Sequence, residues 1–264
     1  KVTQSLVEKT LGMTDLPLLS EPNLQQQLVE IGYQGKKLEE LEGLSATEKA
    51  NMLFIVQDPY TSYYDAKVVR DFVALAQKLG FEPILLPFKP NGKAMHIKGF
   101  LTRFSKTAKT QAEFLNRVAK LNVPLVGVDP AIVLSYRDEY KEALGDSRGD
   151  FHVLTAHEWL TNQLESNALQ SAVKNIAKSD RTFEWHLFPH CTESTFMPNS
   201  PKEWQNIFAQ FGQTLNVEKV GCCGMAGVFG HEVQNQTMSK DIYDVSWGKK
   251  LQGKDPNHCL ATGY

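Results

Sequence analysis

Two halves of this chain match each other at a constant spacing of 132 positions. At that shift Gly80 falls on Gly212, Phe72 on Trp204, Leu75 on Ile207 and Leu79 on Phe211. A fixed internal period marks a duplicated structural unit and restricts the chain to folds that can be written twice. In the first copy Met52–Val56, Pro83–Leu86 and Val123–Val128 are apolar runs of strand length. Lys67–Leu79, Thr102–Leu121 and Ala131–Leu144 carry apolar residues at helical spacing. A middle helical stretch, His157–Lys178, leads to the second copy. There Glu184–Phe188, Val217–Val220 and His258–Ala261 read as strands, with Pro201–Phe211 and Gln234–Lys250 as helices. Strands alternating with amphipathic helices need crossover connections, hence parallel pairing. The expected fold class is α/β: two pseudo-repeated parallel-sheet units with a cysteine site at the C-terminal ends of the strands. Residues 1–50 are expected to be a linker or packing arm, 51–150 a degenerate repeat without cysteines, and 151–264 the repeat with them.

All the cysteines lie in the second copy: Cys191, the adjacent pair Cys222 and Cys223, and Cys259, spaced C-x30-CC-x35-C. Under the 132-residue shift the first copy has Pro59 opposite Cys191 and Pro90-Asn91-Gly92 opposite Cys222-Cys223-Gly224. Cys259 falls on Gly127. Adjacent cysteines are awkward partners for one disulfide or one structural zinc, but they suit thiolate ligation of an iron–sulfur cluster. Gly221, Gly224, Gly227 and Gly230 around the pair let backbone approach a bulky group and aim N–H groups at its sulfurs. The order G-x-G-x-x-G is absent, which argues against nucleotide binding at this loop.

Apolar residues are 42% and charged residues 22% of the chain, with a formal charge of −2, so nothing marks a nucleic-acid or anionic-membrane surface. No run approaches the roughly 18 apolar residues of a membrane span. The start, Lys-Val-Thr-Gln, has no initiator Met and no leader, and we expect a segment of something longer. Four clustered cysteines in a chain with room for a real core argue for metal ligation in a reducing cytoplasm, with peripheral attachment at the inner membrane face as an option.

His190, His231 and His258 are candidate alternative ligands, with ordinary polar contacts at strand ends the favoured reading. Asp58, Asp65, His96, Lys98 and Arg103 gather in sequence where a second centre would have sat, and Glu193 and Glu232 flank the cysteine loops. No hydrolase triad, metalloprotease helix or Walker loop is visible, and four converging cysteines do not suit a single cysteine nucleophile.

Phe188-Pro-His-Cys191, Gly221-Cys-Cys-Gly224 and a final cysteine resemble the CCG, or cysteine-rich, domain. That domain occurs in heterodisulfide reductases and in the iron–sulfur subunits of glycolate oxidase and anaerobic glycerol-3-phosphate dehydrogenase. It also occurs in large bacterial FAD/iron–sulfur dehydrogenases. Asp58–Asp65, Asn91–Gly99 and Leu260–Tyr264 are similar to the C-terminal region of the last type, which resembles D-2-hydroxyglutarate and D-lactate dehydrogenases. The likeness runs from about residue 50 to the end. It implies that Cys191, Cys222, Cys223 and Cys259, beside Gly221 and Gly224, hold a 4Fe–4S-type cluster. It further implies FAD on a domain outside this chain, FAD and ferredoxin-like domains of the same parent as partners, and a quinone or other carrier as acceptor. The fragment alone would then be inactive. Two departures stand out: the first repeat has no thiolates, and Thr262 stands where the family's closing C-x-x-C has its last cysteine. A fifth cysteine is expected beyond Tyr264. A zinc-stabilised interaction module without redox activity is the alternative from another class.

Overall fold

The computed structural model describes residues 8, 10–165, 169–176 and 182–263. Helices α1 (Leu24–Glu30) and α2 (Ala46–Lys49) precede a first unit built from β1 (Met52–Val56), α3 (Pro59–Tyr63), α4 (Ala66–Lys78) and β2 (Glu82–Leu85). It continues with α5 (Lys93–Ile97), α6 (Leu101–Ala119), β3 (Leu125–Gly127), α7 (Pro130–Arg137), α8 (Glu139–Leu144) and β4 (Val153–Thr155). After α9 (Ala156–Leu164) and α10 (Gln170–Ile176) the second unit runs β5 (Glu184–Phe188), α11 (Cys191–Phe196), α12 (Ser200–Gln210) and β6 (Thr214–Val217). It ends with α13 (Gln236–Val245), α14 (Trp247–Leu251) and β7 (Cys259–Ala261).

The sheets have strand orders β2-β1-β3-β4 and β6-β5-β7, and every pairing within them is parallel. Both are α/β layers, as the alternation of elements requires. In β1 all five residues are buried, the pattern of a parallel strand covered on both faces. Phe54 and Val56 enter a core with Ile84, Phe104, Leu115 and Tyr136, whereas Leu53 and Ile55 enter another with Val69, Phe72 and Trp159. The segment before β1 contributes to both: Leu24 and Leu28 of α1 join one core and Leu41 the other. Ile207 of α12 is buried in the same core as Trp159 of α9, so the two units share apolar packing.

The duplication is carried by strand register. Met52 pairs with Glu82 in the first sheet and Glu184 with Thr214 in the second, the same pairing displaced by the same interval. The third strand departs from it. Phe54 pairs with Leu125, but His186 pairs with Cys259, so two extra residues lie between the second and third strands of the later unit. Cys259 therefore stands on Leu125, not on Gly127, and Gly263 stands on Asp129. Cys259 opens its strand; it does not follow it.

Three expectations change in detail. Strand β4 was not anticipated: it is three residues long, and Thr155 at its end also caps α9 in a capping box with Glu158. The helix expected over Ala131–Leu144 breaks at Asp138 into α7 and α8. Strand β6 comes earlier than Val217–Val220, because Thr214 and Asn216 disguise it. Asn216 turns outward to donate to Glu184 at 2.6 Å, the mixed pattern of an edge strand.

In the first unit the strand edge equivalent to the cysteine site is filled by polar packing. Asp58, equivalent to His190, caps α3 by accepting from the N–H groups of Tyr60 (2.8 Å) and Thr61 (2.9 Å) and from the Thr61 hydroxyl. Asn91, on the Cys223 position, is buried, and the Tyr140 hydroxyl donates to its carbonyl at 2.6 Å. The residues Asp58, Asp65, His96, Lys98 and Arg103 do not form one site. His96 stacks on Phe104, Lys98 pairs with Glu232, and Arg103 lies over Phe100.

Burial, with the Asp129 charge adding to it, pushes the Asp58 pKa up from the ordinary 3.8 to about 6. The folded state thus binds this proton more tightly than the unfolded chain. The cost of ionising Asp58 is absent at acid pH and fully present above about pH 6. Asp58→Asn keeps the helix cap without the charge. It should gain about 1–3 kcal/mol over the parent at pH 8, and the gain should vanish near pH 4. Denaturant unfolding at both pH values checks this, and a pH-independent difference would show that Asp58 ionises normally.

Candidate functional site

The C-terminal ends of β5, β6 and β7 open onto a cavity of about 490 Å³. Parallel pairing puts the loops that leave these strands on one edge of the sheet, the usual ligand edge of α/β layers. Phe188, His190 and Cys191 line the cavity from the loop after β5, and Gly221, Cys223 and Met225 from the loop after β6. Ala261 and Gly263 close it from β7, and Ser239, Tyr243 and Trp247 form its wall on α13 and α14.

Cys191 is the first residue of α11, which His190 caps by accepting from Thr192 N–H at 3.2 Å. Burial raises the Cys191 pKa, and the neighbouring Cys222 and Cys223 push it the same way. The Cys191 sulfur is therefore close enough to Cys222 and Cys223 for charge on either to oppose charge on it. The Cys222 sulfur accepts from Gly224 N–H at 3.3 Å. Burial also lowers the His190 pKa, with Lys93 assisting and Glu193 opposing, which keeps the ring a neutral lone-pair donor.

The vicinal loop is fixed from behind. Gly221 N–H donates to the Ser246 hydroxyl at 2.6 Å, and the Trp247 indole donates to the Gly221 carbonyl at 3.1 Å. Gly224 has φ of +89°, and a Cβ there would overlap the Ser239 carbonyl oxygen. Glycine is required at 224 on both counts.

Cys259 stands apart from the other three. Like Cys222 it does not line the cavity, and its sulfur contacts the Asp255 carbonyl at 3.4 Å. It shares a strand face with the cavity-lining Ala261 but sits two residues upstream, about 7 Å at the usual rise. Of the four cysteines expected to converge, Cys191 and Cys223 line the cavity, and the His186–Cys259 pairing sets Cys259 at the start of β7. Among the described residues no group of three or more His, Cys, Asp or Glu side chains is placed to hold a single metal ion. His231 and His258 make local contacts instead: His231 with the Thr14 carbonyl, His258 against the rings of Phe183 and Trp185.

Glu193 does more than add charge near the loops. Its side chain is fully buried and accepts from the Ser200 and Thr262 hydroxyls and, at 3.0 Å, from the Trp204 indole. His157 Nδ1 lies 3.5 Å away. Thr262 in turn accepts from His190 N–H at 2.9 Å. One carboxylate thereby ties the Cys191 loop to the end of β7 and to α9 and α12. The sequence places an acidic residue two positions after Cys191; nothing in it says that the residue is buried. Glu232, by contrast, pairs with Lys98 and accepts from Asn235 at 2.9 Å.

No helix among the described residues is long and apolar enough to cross a membrane. No family model matches the chain, and no solved structure matches it. Curated relatives do. Over 264 residues it is 82% identical to a protein of Haemophilus influenzae named D-2-hydroxyglutarate dehydrogenase, covering all of this chain and 26% of that relative. It is 56% identical over 263 residues to an Escherichia coli protein of the same name and 38% identical over 263 to one from Pseudomonas putida, each match covering 25% of the relative. The chain spans about a quarter of the length of the relatives it matches. In each it corresponds to one part of a larger protein named a dehydrogenase.

Gly224→Ala should cost about 1–3 kcal/mol through the strained φ alone, with more from the overlap at Ser239. Gly212→Ala, at φ of +70° but facing open space, should cost only about 1 kcal/mol. Denaturant melts of the two variants test the ranking. Equal losses would mean that the Ser239 contact does not hold the loop.

Proposed function

We propose that this chain is the electron-transfer part of a D-2-hydroxyacid dehydrogenase, with an iron–sulfur centre held at the cavity by cysteine thiolates. The observation that carries the reading is that Cys191 and Cys223, from two separate loops, line one cavity on the C-terminal edge of a parallel sheet, with Cys222 also close enough to act on Cys191. A thiol whose ionisation its cysteine neighbours oppose, as that of Cys191 is, gains from a cation that joins them, and thiophilic iron or zinc is the cation such ligands select. An iron–sulfur cluster supplies one-electron transfer when bound. Cys191, Cys222 and Cys223 would hold it, with Cys259 the farthest candidate ligand. The Gly224 N–H donates to the Cys222 sulfur, the kind of hydrogen bond that tunes a cluster's ligands. Phe188, Met225 and Trp247 give the cavity an apolar lining beside Cys191 and Cys223.

The resemblance to CCG domains supports the same reading, and the relatives' names favour a hydroxyglutarate-type parent over a glycolate or glycerol-3-phosphate one. Removal of hydride from a hydroxy acid would then fall to an FAD-bearing part of the parent outside this chain, with a quinone or another carrier as acceptor. This chain alone should show no turnover of D-2-hydroxyglutarate.

After anaerobic purification the protein should contain iron and acid-labile sulfide. Cys191→Ser, Cys222→Ser and Cys223→Ser should each lose most of both, on the order of tenfold. Cys259→Ser should lose distinctly less, since its sulfur lies outside the group of three. Stoichiometric zinc without sulfide would replace the redox reading with a structural metal module.

A further inference from the structure

The apolar wall of the cavity has a counterpart in the first unit, and there it is covered. On α6, Phe104, Ala108, Gln111 and Leu115 form one face, and each is at most 2% exposed. The cover is the segment that follows β3. The Tyr140 ring of α8 meets Phe104 edge-on at 5.7 Å, Tyr136 of α7 meets Tyr140 at 5.1 Å, and all three belong to one core with Ala108 and Leu115. At the spacing that superimposes β1 on β5, those four positions of α6 become Gln236, Lys240, Tyr243 and Trp247. All four line the cavity. Two strand-end positions follow suit: Val56 becomes Phe188, and Gly127, through the β3–β7 register, becomes Ala261. Both of these line the cavity as well.

The cavity is therefore, position for position, the place that α7 and α8 occupy in the first unit. We propose that its Phe188–Tyr243–Trp247 wall is the seat of a helix that continues the parent chain directly after β7, docking there as α7 and α8 dock after β3. The register gives its origin: Pro130, which opens α7, corresponds to position 264. Its chemistry follows from the seat. It is an amphipathic helix presenting aromatic or aliphatic side chains at four-residue spacing, the role played by Tyr136 and Tyr140. It begins beside Gly263, at the end of the cavity where Cys191 and Cys223 lie, so it closes the thiols off from water. The inference rests on the repeated fold and not on the identity of any metal.

The test uses the full-length parent protein in metal-free form, with the photo-crosslinking residue p-benzoylphenylalanine in place of Tyr243. Mass spectrometry should map the crosslink to the stretch just after position 264, within a length like that of α7 and α8. The same probe at Val245, 72% exposed on α13, should not give that product. A Tyr243 crosslink to a remote part of the parent or to a second copy, or no crosslink at all, overturns the proposal. Hydrogen exchange gives a reading without substitution. Amides of residues 236–247 should exchange at least tenfold slower in the full-length protein than in the same protein cut after Tyr264. Equal rates overturn the proposal even if iron is found, and iron content decides the metal reading separately.

Discussion

Parallel pairing in a repeated register is the constraint from which the rest of this structure follows. A parallel strand can be joined to its neighbour only by a crossover, so every loop leaving the C-terminal end of a strand lands on one edge of its sheet. Because β5 pairs with β6 as β1 pairs with β2, the loops carrying Cys191 and Cys222–Cys223 occupy the places held by Asp58 and Asn91 in the first unit. The convergence of residues far apart in sequence is thus a consequence of strand register, before any side chain is considered.

The same backbone edge has two chemical outcomes. In the first unit it is sealed. Asp58 spends its carboxylate on the first turn of α3, Asn91 lies under Tyr140, and the aromatic residues of α7 and α8 fill the space above α6. In the second unit the corresponding helix cap is a histidine kept neutral by burial, and thiols stand where Pro59 and Asn91 stand. Desolvation raises the pKa of a buried carboxyl and of a buried thiol alike. The difference is that Asp58 is buried under packed neighbours, whereas Cys191 and Cys223 border an open cavity.

The central strands were legible in the sequence. Met52–Val56 and Glu184–Phe188 are strands β1 and β5 to the residue, the first a continuous apolar run buried throughout and the second apolar and buried at its C-terminal end. Edge and end elements were harder to read. Strand β6 mixes Thr and Asn with Leu and Val, and β4 is three residues pressed against a helix start, so neither shows a periodicity of its own. An ungapped shift placed Cys259 on Gly127 because a two-residue insertion leaves no mark in composition; only backbone pairing reveals it. The part played by Glu193 was illegible for a related reason. Whether an acidic residue after a cysteine is solvated or fully buried depends on Ser200, Trp204 and Thr262, which the fold brings to it from elsewhere in the chain.

That buried carboxylate links the two ideas of a duplicated sheet and a working edge. Burying a polar group is costly unless hydrogen bonds replace its water, and Glu193 receives them from both α12 and the end of β7. Moving the Cys191 loop, α12 or the end of β7 would strip one of them away. The side chain therefore penalises independent motion of the pieces that frame the cavity. The first unit has Thr61 at the equivalent position, and Thr61 bonds only to Asp58 within its own turn. In the second unit the loops after β5 and β7 border an open cavity, and this carboxylate ties the two of them together.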